Sequence, residues 1–267
     1  MAEDVVLVEV ADRVGTVTLN RPEARNALSS EVLRRLPLVM ADLDANDDVD
    51  VVVLTGADPA FCAGLDLKEL GSTGSNLGAG QADGRTQRRG PWEPLTKPLI
   101  GAVNGVAVTG GFELALNCDF LVASTNARFA DTHARVGVMP GWGLTVMLPQ
   151  AVGVRRAREL STTGNFLDAE TALAWGLVNH VVAHDELLAF ARKLAADIIG
   201  NDQPGVRQVL ATYAATADVA VGEAWEVERS MARAWSSRGF DPAEVEKRRE
   251  KIMARGREQT QPTEPAR

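Results

Sequence analysis

Two glycines and one acidic residue interrupt an apolar run in the middle of the chain. The run covers residues 101–119 and contains Gly110, Gly111 and Glu113. We predict that a short strand ends at the glycine pair and that a helix begins there. The first N–H groups of a helix have no partner within it and favour a negatively charged oxygen. With Glu113 beside that oxygen as a proton-transfer group, the segment predicts chemistry on a polarised carbonyl.

A second glycine-bearing turn precedes the first along the chain. Residues 61–69 follow an apolar run at residues 51–55 and have the pattern of a turn that opens a short helix. One such turn is weak support, because many strand-to-helix connections need glycine for steric reasons alone. Two turns could direct the N–H groups of Leu65 and Gly110 at one oxygen, where each donor would stabilise an enolate by about 3 kcal/mol.

The elements that must position these residues alternate between strand and helix, which indicates an α/β fold. A helix is predicted from a cap at Ser29 or Ser30 to about residue 44, and Pro37 should kink or interrupt it. The predicted strands are residues 5–10, 15–19, 51–55, 99–103 and 120–123, of which the first two form a hairpin.

The last third of the chain has a different pattern. Helical periodicity occurs at residues 185–199, 203–215, 219–236 and 242–255. Such a tail on an α/β core is typical of an oligomerisation or cap element, and the polar end of the chain is predicted to be disordered. We therefore divide the chain into a core at 1–195, a helical region at 196–255 and a tail at 256–267. The polar, glycine-rich stretch at 71–90 is predicted to be a mobile lid rather than a solvated connector.

Composition and charge disfavour several classes of protein. The 267 residues are 45% apolar and have a net charge of −8, which argues against nucleic acid and acidic membranes as partners. The start of the chain has no signal-like pattern and the apolar runs are short, so we expect a cytoplasmic protein without a membrane anchor. Cys62 and Cys118 stand far apart in apolar stretches, and we expect buried, reduced thiols rather than metal ligands.

Three motifs in the same order resemble those of the crotonase, or enoyl-CoA hydratase/isomerase, superfamily. They are residues 19–28 (LNRPEARNAL), residues 60–67 (AFCAGLDL) and residues 102–119, which begin AVNG and end NCD. The resemblance covers residues 5–255. It implies a Clp protease-like spiral of β-β-α units with a C-terminal helical region, assembled as a homotrimer or a dimer of trimers. It also implies a coenzyme A thioester as substrate, with no separate cofactor and no metal.

The resemblance further implies roles for individual residues. The backbone N–H groups of Leu65 and Gly110 would bind the thioester oxygen, and Glu113 would be a catalytic carboxylate. The substrate-binding residues would be Arg25, Ala27, Ala63, Gly64, Leu65, Asp66, Leu67, Gly110 and Trp142. Simpler alternatives remain, since Arg25 could be a surface charge and Asp66 a helix cap. Trp142 should narrow the acyl end of the pocket, unless it belongs to the core.

The sequence departs from the family at the second catalytic carboxylate. Hydratases of this family hold a water between two glutamates, and His133 stands where the second glutamate is expected. Histidine exchanges protons near neutral pH, so His133 could share a water with Glu113, or it could be structural. In an extended segment Asp131 would lie on the same face but about 7 Å along the chain, which would make it a poor substitute.

These features together predict an enoyl-CoA hydratase whose catalytic groups are Glu113, His133, Leu65 and Gly110. One alternative is an enoyl-CoA isomerase that uses Glu113 alone, because the GLDL sequence around Leu65 also resembles that of isomerases. Another is an acyl-CoA binding protein without turnover. An RNA-binding member of the family is disfavoured by the acidic composition.

Overall fold

The structure is a computed structural model that describes residues 4–76 and 90–217 together with residues 219, 223, 227, 229, 230, 233 and 234. The described residues divide into two compact units between Arg207 and Gln208. Most of the predicted lid, most of the predicted helix at 219–236, all of the helix at 242–255 and the tail at 256–267 lie outside the described residues. The predicted division at residues 195 and 255 stays a prediction.

The strands of the described residues form two mixed sheets. The strands are β1 (Val6–Ala11), β2 (Val14–Leu19), β3 (Val51–Gly56), β4 (Ala60–Cys62), β5 (Leu99–Val103), β6 (Val106–Val108), β7 (Phe120–Ser124), β8 (Arg128–Ala130), β9 (Leu167–Asp168) and β10 (His180–Val182). One sheet has the order β1-β2-β3-β5-β7-β10 and the other β4-β6-β8-β9. The pairs β1–β2 and β8–β9 are antiparallel, and the other pairs are parallel.

From β3 to β8, consecutive strands alternate between the two sheets, and a helix follows each pair. The strand β3 of the first sheet leads into β4 of the second and then into helix α2 (Leu67–Ser72). The pair β5 and β6 leads into α3 (Gly110–Leu116), and the pair β7 and β8 leads into α4 (His133–Val136). This repetition confirms the predicted spiral of β-β-α units.

The predicted N-terminal hairpin is present, and the helix after it begins at the predicted cap. Helix α1 (Ser30–Ala45) begins at its cap Ser29, whose hydroxyl accepts the Val32 N–H at 3.3 Å. The helix continues through Pro37, so the predicted interruption is wrong. A proline inside a helix costs about 3 kcal/mol, and the packing of a buried face offsets that cost. The buried face consists of Val32, Leu33, Leu36, Val39, Met40 and Leu43.

The central strand β3 is buried on both faces, as predicted from its continuous apolar run. Val52 and Leu54 belong to the larger core, which α1 covers. Val51 and Val53 point to the opposite side, into a second core that helix α8 (Leu187–Ile199) covers. Since side chains alternate along a strand, helices on both faces require apolar residues at every position.

Further helices complete the described part of the chain. They are α5 (Leu144–Val152), α6 (Val154–Thr163), α7 (Ala169–Trp175), α8 and α9 (Gln203–Ala217), with 3₁₀ turns at Pro22–Ala24 and His184–Glu186. The predicted helices at 185–199 and 203–215 are therefore confirmed. No helix in the described ranges combines the length and apolarity needed to cross a membrane. Both cysteines are free thiols, with Cys62 buried and Cys118 half-buried.

Candidate active site

The two glycine-bearing turns lie side by side at one edge of the second sheet. Because β4 and β6 are parallel neighbours, the segments that follow them, residues 63–66 and 109–111, leave the sheet at the same edge. A Cβ atom at Gly111 would lie 2.1 Å from the carbonyl oxygen of Cys62. Glycine alone permits this contact, which brings the start of α3 against β4.

Gly64 brings the two turns into direct contact. Its backbone has φ +83°, and a Cβ atom there would lie 2.7 Å from the Val108 carbonyl oxygen and 3.4 Å from the Gly110 nitrogen. Both the left-handed backbone and the lack of space require glycine. The structure therefore places the residue before Leu65 against the first residue of α3.

The N–H groups of Leu65 and Gly110 are available to a ligand. Leu65 pairs with Leu28 in a parallel bridge, in which Leu28 donates to the Gly64 carbonyl at 2.7 Å and receives the Asp66 N–H at 3.1 Å. Successive N–H groups of an extended segment point to opposite sides, so the Leu65 N–H points away from Leu28. Gly110 opens α3 and has no acceptor within the helix. Across the described ranges, neither N–H donates a hydrogen bond to the protein.

Glu113 projects from the first turn of α3 into a buried position. Its Oε1 accepts the backbone N–H groups of Gly141 at 3.1 Å and Trp142 at 2.7 Å. Its Oε2 lies 3.4 Å from Nε2 of His133. The backbone thus holds one carboxylate oxygen and leaves the other facing the His133 ring.

His133 lies between two buried carboxylates. Its Nε2 faces Glu113, and its Nδ1 lies 2.6 Å from Oδ1 of Asp131, which also accepts the His133 backbone N–H at 3.1 Å. Burial lowers the pKa of His133, but hydrogen bonds to Asp131 and Glu113, together with their charges, outweigh burial and raise the pKa to about 9. At neutral pH the ring is therefore an imidazolium with an N–H on each nitrogen.

The contact between Asp131 and His133 corrects the sequence prediction, which placed Asp131 about 7 Å along an extended segment. Thr132 has φ −104° and ψ 15°, and α4 begins at His133, so the chain bends here. The bend turns the carboxylate of Asp131 back onto the ring. Burial raises the pKa of Asp131, but hydrogen bonds from His133 and Ser161 outweigh it and hold the pKa below its usual range.

A cavity of about 370 Å³ lies beside the two turns. Four of the predicted substrate-binding residues line it, namely Arg25, Ala63, Leu65 and Leu67. The other lining residues are Val106, Val108, Thr109, Thr132, Arg135, Val136, Val138 and Phe166. The lining does not include Ala27, Gly64, Asp66, Gly110, Trp142, Glu113 or His133, although His133 directly follows the lining residue Thr132. Sequence reasoning missed the valines of β6, which alternate along the strand as residues of one face do.

Asp66 is the N-terminal cap of α2, as its simpler interpretation predicted. Its Oδ1 accepts the N–H groups of Lys68 at 3.0 Å and Glu69 at 3.3 Å, and its Oδ2 pairs with Arg21 at 2.9 Å. Arg21 also donates to the Ala27 carbonyl at 2.6 Å, so it joins two of the predicted substrate-binding segments. Sequence reasoning missed Arg21, although it belongs to the first family-like motif.

Trp142 contributes its backbone to the site. Its N–H binds Glu113, and its carbonyl accepts the side-chain amide of Asn117 at 2.9 Å. The indole ring is half-buried and packs against the larger core, and a Cβ atom at Gly110 would lie 3.6 Å from it. The ring thus has core contacts and also lies next to the predicted oxyanion donor.

A second histidine forms a serine–histidine–aspartate chain. This histidine is His184. Its Nε2 lies 3.1 Å from Oδ2 of Asp58, and its Nδ1 lies 3.3 Å from the Ser124 hydroxyl. Ser124 is fully buried, and its hydroxyl donates to the Asn104 carbonyl at 2.7 Å. A nucleophile must be accessible to its substrate, so this chain joins structural elements rather than forming a hydrolytic triad.

Comparisons with known proteins agree with the motifs and the fold. The family model of enoyl-CoA hydratase/isomerase matches residues 9–248. The chain is 39% identical to a probable peroxisomal enoyl-CoA hydratase of Arabidopsis thaliana, over 91% of this chain and 90% of that protein. It is 38% identical to the short-chain-enoyl-CoA hydratase of Clostridium acetobutylicum, over 76% of this chain and 78% of that protein.

Solved structures give the same result for the fold. The crystal structure of an enoyl-CoA hydratase from Mycobacterium smegmatis superposes with a TM-score of 0.72 at 51% identity, covering 87% of this chain and 99% of that one. Since the family model matches most of the chain, this protein belongs to the enoyl-CoA hydratase/isomerase, or crotonase, family.

Proposed function

We propose that this protein is an enoyl-CoA hydratase, which adds water across the double bond of a trans-2-enoyl-CoA. The observation that carries the proposal is the contact between Glu113 and His133. The atoms Oε2 and Nε2 lie 3.4 Å apart, so both groups can reach a single water molecule. The identity to proteins named as hydratases supports the same reaction.

The cavity and the two turns suit a coenzyme A thioester. The N–H groups of Leu65 and Gly110 would bind the thioester oxygen, and each such donor stabilises an oxyanion by about 3 kcal/mol. Arg25 would meet a phosphate, because a guanidinium pairs well with phosphate oxygens. The apolar lining of the cavity suits the uncharged arm of the thioester. Around it, Ala27, Ala63, Gly64, Asp66 and Leu67 would form the binding segments, with coenzyme A as part of the substrate.

Proton transfer in hydration has two halves. Oε2 of Glu113 takes a proton from water as the water oxygen bonds to Cβ, and the double-bond electrons move into the thioester to form an enolate. His133 then gives the proton on Nε2 to Cα. Such general acid–base steps each contribute about 10²–10⁴-fold to the rate.

The contact between the two side chains also completes the cycle. After turnover Glu113 holds the proton from water, and His133 lacks the proton that it gave to Cα. Transfer across the 3.4 Å contact restores the starting state. Because Oε1 is held by two backbone N–H groups, Oε2 is the oxygen that must both accept and return the proton.

The test is hydration of crotonyl-CoA, followed as loss of the absorbance of the conjugated thioester. Glu113→Gln keeps the shape of the side chain but removes its basicity, and we expect kcat to fall by at least about 10². Glu159→Gln, on the exposed side of α6, is the matched control and should leave kcat unchanged. Wild-type hydration no faster than that of Glu113→Gln would refute the proposal.

The same assay separates the alternatives. An isomerase that uses Glu113 alone would convert a 3-enoyl-CoA to the conjugated 2-enoyl-CoA, with a rise in absorbance, and would not need His133. An acyl-CoA binding protein would bind crotonyl-CoA without changing it. The contact of His133 with Glu113 favours hydration, because isomerisation needs one proton shuttle whereas hydration needs a base for the water and an acid for Cα.

We also propose, from the family resemblance, that the protein assembles as a homotrimer or a dimer of trimers. Light scattering after size-exclusion chromatography measures the assembly directly. The chain has a mass of 28.5 kDa, so the expected particle has three or six times that mass. A monomeric particle with full activity would contradict this assembly.

A further inference from the structure

We propose that Asp131 is a positioning residue for hydration, which orients the His133 ring towards Glu113 and keeps it cationic as the pH rises. This inference rests on the proposed function and assigns a role to a residue outside the predicted catalytic groups. Asp131 does not face the substrate in this role. It acts through His133.

The orientation of His133 depends on the contact with Asp131. One oxygen, Oδ1, accepts both the backbone N–H of His133 at 3.1 Å and the ring Nδ1 at 2.6 Å. A histidine ring can turn over about its χ2 axis, which exchanges the positions of its nitrogen and carbon atoms. The bond to Nδ1 selects the orientation that places Nε2 on Glu113. Without it, a ring carbon could face Glu113 instead.

The charge of His133 depends on Asp131 at one particular moment of turnover. When Glu113 has taken the proton from water it is neutral, and it no longer supports the imidazolium. Asp131 lies on the other side of the ring and takes no part in that transfer, so its negative charge persists. A buried cation without a counter-charge would lose its proton to solvent or to a base at much lower pH.

Among the residues that the structure describes, these two carboxylates are the charged groups that interact with the ring. Helix α3 supplies Glu113, and α6 supplies Ser161, whose hydroxyl hydrogen-bonds Asp131. Arg135 stands on α4 with His133, but its guanidinium donates to the Thr163 carbonyl at 3.0 Å. Loss of the Asp131 charge should therefore lower the pKa of His133 from about 9 towards its ordinary value of 6.5.

The experiment compares Asp131→Asn with wild type in crotonyl-CoA hydration from pH 6 to pH 10. Asparagine retains an oxygen that can accept from Nδ1 but lacks the charge. We expect the alkaline limb of kcat to move to lower pH, with a loss of about tenfold at pH 8.5 and little loss at pH 6.5. KM should stay the same, because Asp131 is not among the residues that line the cavity. An unchanged alkaline limb, or an equal loss at every pH, would overturn the proposal.

The matched control is Asp58→Asn, which removes the carboxylate from the other aspartate–histidine pair at His184. Its pH profile should equal that of wild type. A control profile that shifts as the Asp131→Asn profile does would overturn the proposal, because the shift would then be a general effect of lost charge.

An NMR titration of the histidine rings keeps this inference distinguishable from the proposed function. The chain has three histidines, so ring signals can be assigned by substitution of His180 and His184. In wild type the His133 signal should titrate near pH 9, and in Asp131→Asn at lower pH. If wild type fails to hydrate crotonyl-CoA, the proposed reaction is wrong, yet the titration still tests the effect of Asp131. A titration midpoint near pH 6.5 for His133 in wild type would overturn the proposed role of Asp131 without any variant.

Discussion

Replacement of Gly111 by alanine should separate the two turns that carry the predicted oxyanion donors. A Cβ atom at this position would lie 2.1 Å from the carbonyl oxygen of Cys62, 2.7 Å from its Cβ and 2.8 Å from its carbonyl carbon. These are backbone atoms and the first side-chain atom of a buried strand, so no rotamer change relieves the overlap. The start of α3 must move away from β4, and Gly110 moves with it.

The size of the movement sets the expected loss. Ordinary contact begins near 3.4 Å, so relief of a 2.1 Å contact requires a shift of roughly 1 Å. Overpacking of a buried site costs about 1–3 kcal/mol. We expect the overlap to cost about 3 kcal/mol. The better helix propensity of alanine returns about 1 kcal/mol, so the free energy of unfolding should fall by about 2 kcal/mol. Displacement of one oxyanion donor should lower the kcat of the variant by about 10²–10³-fold.

Gly110→Ala provides the matched control for stability. Its nearest neighbours would be Cδ1 of Leu28 at 3.0 Å and the Trp142 ring at 3.6 Å, which are side-chain atoms that can adjust. Urea denaturation at one protein concentration should show a change below about 1 kcal/mol for Gly110→Ala and about 2 kcal/mol for Gly111→Ala. Crotonyl-CoA hydration gives kcat for each folded variant. If the two variants are equally stable and Gly111→Ala keeps its kcat, the close contact between Gly111 and Cys62 does not determine the position of the predicted oxyanion donors.

Three further predictions concern His133, Asp66 and Trp142. The raised pKa of His133 stabilises the fold fully below its ordinary value of 6.5, and this contribution is lost as the pH rises through about 9. The difference of 2.5 between these two pKa values corresponds to about 3 kcal/mol. Urea denaturation at a series of pH values should show the free energy of unfolding fall across this pH range in wild type but not in His133→Gln. Asp66→Ala should lower the free energy of unfolding by about 1 kcal/mol through loss of the α2 cap, whereas a loss below measurement error would mean that Arg21 and the cap contribute nothing. Trp142→Ala keeps the N–H that binds Glu113 and should favour longer enoyl chains over crotonyl-CoA by roughly tenfold in kcat/KM. An unchanged preference would assign the ring to the core alone.

Local patterns were sufficient to predict several of the elements that position the site, although not β4 or α4. The apolar run of β3 indicated burial on both faces, because helices cover both sides of the sheet. The glycine pair marked the start of α3, and Ser29 marked the start of α1. The side-by-side placement of the turns at Leu65 and Gly110 could not be derived from periodicity, because β4 and β6 are neighbours in the sheet but not in the sequence.

The errors arose where tertiary structure overrides local preference. Pro37 breaks helices in isolation, yet the packed face of α1 holds the helix together around it. The cavity walls from β6, α4 and Phe166 come from segments that the sequence separates widely. Arg21 gains its importance only through its contacts with Asp66 and Ala27. No pattern along the chain marks the contacts of Arg21 or the meeting of β6, α4 and Phe166, although the valines of β6 alternate as residues of one face do.

The proposed role of Asp131 offers a reason why a histidine could serve at the position where the family resemblance predicts a glutamate. Two glutamates that share a site hold one proton between them, because two adjacent negative charges raise the pKa of one carboxyl group. That pair has a net charge of −1 and one transferable proton. A histidine opposite Glu113 alone would give a neutral ion pair. With Asp131 on its other side, the Asp131–His133–Glu113 chain again has a net charge of −1 and one proton on Nε2 facing Glu113. In the proposed mechanism, Asp131 is the second carboxylate of this chain of charges, and the bend at Thr132 brings it onto the His133 ring.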